Sequence, residues 1–164
     1  MRLASEHMEV VTTIAGSETL SAVLDRKGRS VFFVEPGSTV FEAIERMAER
    51  HVGALLVMDG DALVGVISER DYARKVILQG KMSRETRVDA IMSRPVISAA
   101  PGMSVGDGLR LMTEKRVRHL PIVNPDSGAV EGIVSIGDLV RSVMSAQAQR
   151  LQQLTSYIAG SYPA

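Results

Sequence analysis

The chain has 164 residues, 45% of them hydrophobic and 23% charged, a balance typical of a globular protein with a sizeable core. Its 19 basic and 19 acidic residues give a formal net charge of +0, which argues against bulk electrostatic attraction to nucleic acid or to an anionic membrane. Because the sequence has no cysteine, disulfides, thiolate nucleophiles and cysteine-ligated metal sites are excluded.

The N-terminal stretch does not resemble an export signal. Met1 to Val11 includes Glu6 and Glu9 and lacks an apolar signal core. No apolar run elsewhere approaches the roughly 20 residues that a membrane-spanning helix needs. We therefore expect a cytoplasmic protein without a membrane segment.

The first predicted elements are a helix, a short strand and a second helix. Thr19 to Lys27 is expected to form a lead-in helix for the first part of the chain. Val31 to Val34 is β-branched and aromatic, which predicts a strand. Thr39 with Glu42 three positions later is the signature of a capping box, so we expect the second helix to begin here.

A hairpin and another helix follow. Ala54 to Met58 and Leu63 to Ile67 are apolar runs of strand length around a glycine-containing turn. A helix is predicted from Asp71 toward Leu78. The order of elements in this part of the chain is therefore βαββα.

The second half of the chain repeats the first. Pro36 and Gly37 correspond to Pro101 and Gly102 at an offset of 65 residues, and Asp71 corresponds to Asp138 at an offset of 67. The two extra residues fall in a turn, where an insertion disturbs the fold least. The second copy predicts strands at 96–99, 120–123 and 130–135, a helix at 105–115 and another from residue 137 onward.

The duplication defines the expected domains. We predict a first repeat with its lead-in helix at 18–83, a linker with the second repeat at 84–145, and a C-terminal helical extension at 146–164. Units of about 60 residues bury little surface alone, so the copies are expected to pack on each other. Leu151, Leu154 and Ile158 would form one apolar stripe that packs on the core or on a second subunit.

One motif stands at the equivalent point of both copies. It consists of a glycine, two apolar residues, a serine, two variable residues and an aspartate that opens a helix. It spans Gly65 to Asp71 and then Gly132 to Asp138. With Val117 to Val123, these motifs resemble the CBS-domain family over roughly residues 18–145, and the chain is similar to the stand-alone bacterial members.

The resemblance implies an α/β (α+β) fold of tandem βαββα repeats, packed as a pseudo-twofold pair with two clefts between the sheets. Family members bind AMP, ADP, ATP, NAD or S-adenosylmethionine in these clefts, often pair into disc-shaped dimers, and regulate other proteins. For this chain the resemblance implies a regulatory module that binds an adenine nucleotide, AMP before the others, and changes conformation or partner affinity. The resemblance also implies that the chain forms a homodimer and acts on an unidentified regulated protein. It implies no catalytic cofactor.

The serine and aspartate of each motif have two interpretations. Asp71 and Asp138 would accept hydrogen bonds from the two hydroxyls of a ribose, with Ser68 and Ser135 beside them. The same residues are also good helix N-terminal caps that need no ligand. One residue can serve both purposes.

Phosphate contacts are predicted from basic residues near these motifs. Arg118 and His119 in the second copy replace small Gly53 and Ala54 of the first, and Arg70 precedes Asp71. Because these charges are few, a mono- or diphosphate is expected rather than a triphosphate. Further contacts are implied by the family at Val52, Val117, Ile133 and, in the linker, Thr86 and Arg87.

Three rival functions remain. His7, His51 and His119 are scattered and show no metal-ligand spacing, so neither catalysis nor a metal site is expected. A protein-interaction or oligomerisation module without a physiological nucleotide is the main alternative. A nucleic-acid role is not expected at zero net charge, although five arginines could cluster, namely Arg84, Arg87, Arg94, Arg116 and Arg118.

Overall fold

The computed structural model describes residues 18–160, the last three as backbone only. This part of the chain divides into two units. The first unit is Ser30–Ser98, and the second unit combines the described residues up to Arg29 with those from Ala99 onward. Each unit contains one copy of the repeat, so the mixed α/β fold is confirmed.

The first unit is a three-stranded sheet with helices. Strand β1 (Phe33–Val34) pairs in parallel with β2 (Ala54–Asp59), which pairs antiparallel with β3 (Ala62–Ser68). Between β1 and β2 lies helix α2 (Val40–Arg50), which begins with the predicted capping box of Thr39 and Glu42. The predicted hairpin is therefore present.

Helix α3 (Glu69–Lys75) follows β3 without a connecting loop. It begins two residues earlier than predicted because Ser68, and not a later residue, is its N-cap. It also ends earlier, and the chain continues as a short 3₁₀ turn, Ile77–Gln79, which Gly80 ends in the left-handed conformation.

The second unit contains three helices and a two-stranded sheet. Its helices are α1 (Leu20–Lys27), α4 (Val105–Lys115) and α5 (Ile136–Gly160), and its strands are β4 (His119–Val123) and β5 (Val130–Ser135), paired antiparallel. The strand predicted at 96–99 is reduced to a single bridge from Ala99 to Ile122. A flanking proline on either side, Pro95 and Pro101, removes donors that a longer ladder would need.

The lead-in helix packs in the second unit, although the sequence assigns it to the first repeat. Leu20 and Leu24 of α1 are fully buried, and the Leu20 amide donates to the Met103 carbonyl at 2.9 Å. In turn, Val88 and Ile91 of the linker belong to the core of the first unit. The predicted boundary between residues 83 and 84 therefore does not coincide with the division between the units, because the segment before each repeat supplies apolar side chains to the other unit.

The glycine of each motif makes room for these exchanged segments. A Cβ on Gly132 would lie 2.7 Å from a Leu24 methyl, and a Cβ on Gly65 would overlap the Met92 side chain. Both glycines are buried in a strand, β5 and β3 respectively. Close packing is thus a sufficient reason for glycine at these two positions.

Helix α5 extends well past the second unit's buried residues. Leu139 and Ser142 in its first two turns are buried, whereas every residue from Gln147 to Tyr157 is exposed. Leu151 and Leu154 are 65% and 60% exposed. The last helix continues to Gly160, as predicted, and these two leucines do not pack on the core. The side chain of Ile158, the third residue of the predicted stripe, lies outside the described residues.

Candidate functional site

Ser68 and Asp71 form a reciprocal cap at the start of α3. The Asp71 amide donates to Ser68 Oγ at 3.3 Å, while Asp71 Oδ2 accepts from the Ser68 amide at 3.0 Å and from its hydroxyl at 2.6 Å. The cap occupies one carboxylate oxygen and leaves Oδ1 for other donors. The capping interpretation of the sequence is therefore correct at this motif.

Ser135 and Asp138 repeat this arrangement at the start of α5. Asp138 Oδ2 accepts from the Ser135 amide and hydroxyl, both at 2.8 Å, and the Asp138 amide donates to Ser135 Oγ at 3.2 Å. The two aspartate side chains are similarly buried, with 12% exposure for Asp71 and 10% for Asp138. The cap therefore has the same local geometry in both repeats.

The residues before the first strand of each hairpin lie beside these caps. The Glu69 amide donates to the Gly53 carbonyl at 3.2 Å, and the Ile136 amide donates to the Arg118 carbonyl at 2.9 Å. In the sheet ladders Ala54 pairs with Ser68 and His119 pairs with Ser135. The structure thus brings Gly53 and Ala54 to the first motif, and Arg118 and His119 to the second, as the offset of the repeats predicts.

A lysine and a serine complete the surroundings of Asp71. Lys75 Nζ lies 2.8 Å from Asp71 Oδ1 and also donates to the Ile91 carbonyl at 2.6 Å. Ser93 Oγ donates to the same carboxylate oxygen at 3.2 Å. Lys75 is 39% exposed, so its ammonium can move into solvent or onto a ligand when another donor takes its position at Oδ1.

Asp138 is held by two cations. Lys27 Nζ lies 2.8 Å from Oδ2, and Arg141 donates to Oδ1 at 2.8 Å. Burial alone would raise the pKa of Asp138, but hydrogen bonds from Lys27 and from Ser135 outweigh burial and lower this pKa to about 2. The carboxylate is therefore ionised at neutral pH and is a strong hydrogen-bond acceptor.

A surface pocket of about 270 Å³ opens beside Asp138. Helices α1 and α5 provide its walls, and its lining residues are Val23, Arg26, Lys27, Asp138, Arg141 and Ser145. Three of these side chains are cationic and one is a carboxylate. The pocket therefore combines a hydrogen-bond acceptor with groups suited to an anion.

Three other residues that the sequence predicts to contact a ligand make no hydrogen bond to the aspartates of the two caps. Arg70 is half-buried in the first turn of α3, next to Asp71 in the chain. Thr86 and Arg87 lie at the start of α2 instead, where the Thr86 carbonyl accepts from the Val40 amide at 2.8 Å. Arg87 pairs with Asp89 at 2.6 Å. The linker residue that reaches Asp71 is Ser93.

Three apolar positions of the prediction lie close to the motifs along the chain. Val52 and Val117 immediately precede Gly53 and Arg118, and both are half-buried. Ile133 lies in β5 opposite Pro121, and its carbonyl accepts from Lys27 Nζ at 2.8 Å. Val52 also packs against the core of the first unit.

The repeat structure agrees with a comparison against protein families. The model of the CBS domain matches residues 8–77 and again residues 88–145. The chain belongs to the CBS-domain family. Each of its CBS repeats thus carries one Ser–Asp motif at the strand-to-helix junction.

Known CBS proteins resemble the chain in sequence and in fold. The mitochondrial CBS domain-containing protein CBSX3 of Arabidopsis thaliana is 40% identical over 155 residues, which cover 89% of this chain and 74% of that protein. A CBS-domain protein of Burkholderia ambifaria assigned to signal transduction is 44% identical, with a TM-score of 0.74 and coverage of 78% and 95% of the two chains. The CBS protein PAE2072 of Pyrobaculum aerophilum, complexed with AMP, is 23% identical, with a TM-score of 0.69 and coverage of 80% and 99%.

Four residues beside the CBS motifs were not predicted from the sequence. Lys75 and Arg141 follow their aspartates by four and three positions, a helical spacing that the sequence displays and that could have identified them. Lys27 and Ser93 reach the motifs only through tertiary packing, so the sequence carries no comparable signal for them.

Residues 18–160 contain no helix that is long and apolar enough to cross a bilayer. Within the same range, no group of three or more histidine, aspartate or glutamate side chains is arranged to hold a metal ion.

Proposed function

We propose that this CBS pair is a regulatory module that binds adenine nucleotides, with one ribose-binding carboxylate in each repeat. Asp71 and Asp138 accept hydrogen bonds from the vicinal hydroxyls of the ribose, and the apolar residues beside each cap contact the purine. AMP is the first ligand to test, since the Pyrobaculum aerophilum CBS protein is complexed with it. Binding shifts the chain toward a conformation that a partner protein distinguishes.

The observation that carries this proposal is the incomplete use of each carboxylate by its cap. At both motifs the cap employs Oδ2, while Oδ1 is held by Lys75 and Ser93 in the first repeat and by Arg141 in the second. Exposed cations exchange readily with other donors because surface ion pairs contribute little stability. One hydroxyl of the ribose can take their place at Oδ1, while the other shares Oδ2 with the donors of the cap, so the helix remains capped.

A third Ser–Asp cap in the same chain provides a matched control. Ser104 caps α4, its hydroxyl donates to Asp107 Oδ2 at 2.7 Å, and Asp107 also pairs with Arg110 three positions later. This cap has the same spacing and the same type of basic neighbour as Asp138, but no strand leads directly into α4. Asp107→Asn therefore changes a cap without changing a proposed ribose site.

Thermal melting with a panel of adenine nucleotides tests the proposal. AMP at about 100 times its Kd is expected to raise the Tm of the wild-type chain by roughly 5–10 °C. The shift should shrink in Asp71→Asn and in Asp138→Asn, and it should be unchanged in Asp107→Asn. No shift with AMP, ADP, ATP, NAD or S-adenosylmethionine, or equal shifts in all three variants, would reject ribose binding at these carboxylates.

A second candidate function, homo-oligomerisation, is favoured by the exposed half of α5. Met144, Gln147, Leu151 and Leu154 recur at alternating spacings of three and four, the period of two helices packed side by side. Arg150 is the only charged residue of the sequence between Ser142 and Gly160. Like helices with this pattern can pair, so we propose a homodimer in which two copies of α5 pack through this stripe.

A further inference from the structure

A lysine bridges the motif aspartate to a backbone carbonyl in both repeats, but it comes from different elements. Lys75, on α3, joins Asp71 to the Ile91 carbonyl. At the repeat offset of 67 the position of Lys75 is occupied by Ser142, which donates to Glu18 instead. Lys27, on α1, joins Asp138 to the Ile133 carbonyl at 2.8 Å for both contacts. A lysine ammonium thus contacts each carboxylate, although the two lysines are not at equivalent positions of the repeat.

The charged side chains that line the pocket beside Asp138 leave one cation in excess. Arg26 is paired with Glu18 outside the pocket lining, so these two charges cancel. Lys27 and Arg141 both approach the single carboxylate of Asp138. One carboxylate cannot neutralise two cations, and the pocket of about 270 Å³ therefore favours an added anion.

The carboxylate oxygen that Lys27 contacts is already crowded. Asp138 Oδ2 accepts from the Ser135 amide, from the Ser135 hydroxyl and from Lys27, whereas Asp71 Oδ2 accepts only the two donors of its cap. Two hydroxyls of one ribose need both oxygens of the carboxylate. A ribose at Asp138 must therefore displace Lys27 as well as Arg141.

We propose that Lys27 makes the Asp138 site selective for phosphorylated nucleosides over uncharged ones, by transferring its ammonium from Asp138 to the phosphate when the ribose binds. This inference rests on the proposed function of Asp138. With AMP, the displaced ammonium gains a new anionic partner in the same pocket. With adenosine, it keeps only the Ile133 carbonyl, so binding loses an ion pair without replacement.

Calorimetric titration of AMP and adenosine into paired variants tests the selectivity. Asp71→Asn is the background, so that only the Asp138 site contributes. In this background AMP is expected to bind at least about tenfold more tightly than adenosine, the difference that one charge-assisted hydrogen bond provides. Adding Lys27→Met should weaken AMP binding, leave adenosine binding equal or tighter, and bring the ratio of the two affinities close to one.

Two further variants serve as controls. Lys27→Arg keeps the charge and should preserve the preference for AMP, while Lys115→Met removes an exposed lysine at the end of α4 and should change neither affinity. Circular-dichroism melts establish that each variant is folded before titration. An unchanged ratio of affinities in folded Lys27→Met would overturn the role of Lys27 and leave the proposed function intact. Failure of both ligands to bind the wild-type chain would overturn the proposed function, and this inference with it.

Discussion

The carboxylate of Asp138 illustrates how a cap can also be an electrostatic centre. Burial of this side chain favours the neutral acid, but Lys27 and Ser135 favour the ionised form more strongly and hold its pKa at about 2. Since this pKa lies below the ordinary value of 3.8, the ionised carboxylate stabilises the folded chain at neutral pH. That contribution is fully present above about pH 4 and is lost as the pH falls toward 2.

Asp138→Asn should reveal this contribution as a pH-dependent loss of stability. At pH 7 we expect the free energy of unfolding to fall by about 2–3 kcal/mol, since the pKa is lowered from 3.8 to about 2 and one pKa unit corresponds to about 1.4 kcal/mol. The difference from wild type should shrink as the pH is lowered from about 4 to about 2, because the wild-type carboxyl then becomes neutral too. Urea denaturation of both proteins at pH 7, 4 and 3 measures this difference in the free energy of unfolding. A difference that stays constant over this range would contradict the ionic origin.

Part of the candidate site could be predicted from the sequence because it is local. The caps of Ser68 and Ser135 depend on residues three positions apart, and the spacing predicted them. The partners Lys27 and Ser93 come from segments far along the chain, and only the folded arrangement brings them to the carboxylates. No local pattern distinguishes a lysine that reaches Asp138 from one that points into solvent.

Helix α1 is the element whose packing partner the sequence misassigned. Its existence could be predicted, because Thr19 is a good N-cap and the apolar spacing is helical. Its partner could not, because the simplest expectation is that an element packs on its neighbour in the chain. Leu24 instead packs against Gly132 of β5, a contact that only the absence of a side chain at Gly132 permits.

Gly132→Ala tests this packing of α1 on the second repeat. The added methyl would lie 2.7 Å from Leu24, so the helix or its side chain must shift. We expect the free energy of unfolding to fall by about 1–3 kcal/mol, the usual cost of overpacking a core. Chemical denaturation monitored by circular dichroism measures this change.

A double-mutant cycle identifies Leu24 as the cause. Leu24→Ala alone should cost about 2–5 kcal/mol, as expected for a fully buried leucine. With Leu24 truncated, the methyl of Gly132→Ala has space, so the double variant should lose less stability than the sum of the single losses. Strict additivity would mean that the two residues are not in contact and that α1 packs elsewhere.

We expect the exposed stripe of α5 to determine the oligomeric state of the whole molecule. If two copies pair through α5, Leu151→Glu places a carboxylate in this stripe and should convert the dimer to a monomer. Gln153→Glu introduces the same charge on another face of the exposed helix and serves as the control. Size-exclusion chromatography with light scattering gives the mass of each variant. If both variants remained dimers, or if the wild-type chain were a monomer, the result would contradict pairing through this stripe.

The loss of AMP binding when both ribose sites are altered tests the central claim most directly. Titration calorimetry measures the number of AMP molecules bound per chain. It is applied to the wild-type chain, to Asp107→Asn, in which only a cap is altered, and to the Asp71→Asn/Asp138→Asn double variant, in which both ribose sites are altered. We predict saturable AMP binding by wild type and by Asp107→Asn with the same stoichiometry, and loss of that binding in a folded double variant. Undiminished AMP binding by the folded double variant would contradict the assignment of these carboxylates to the ribose.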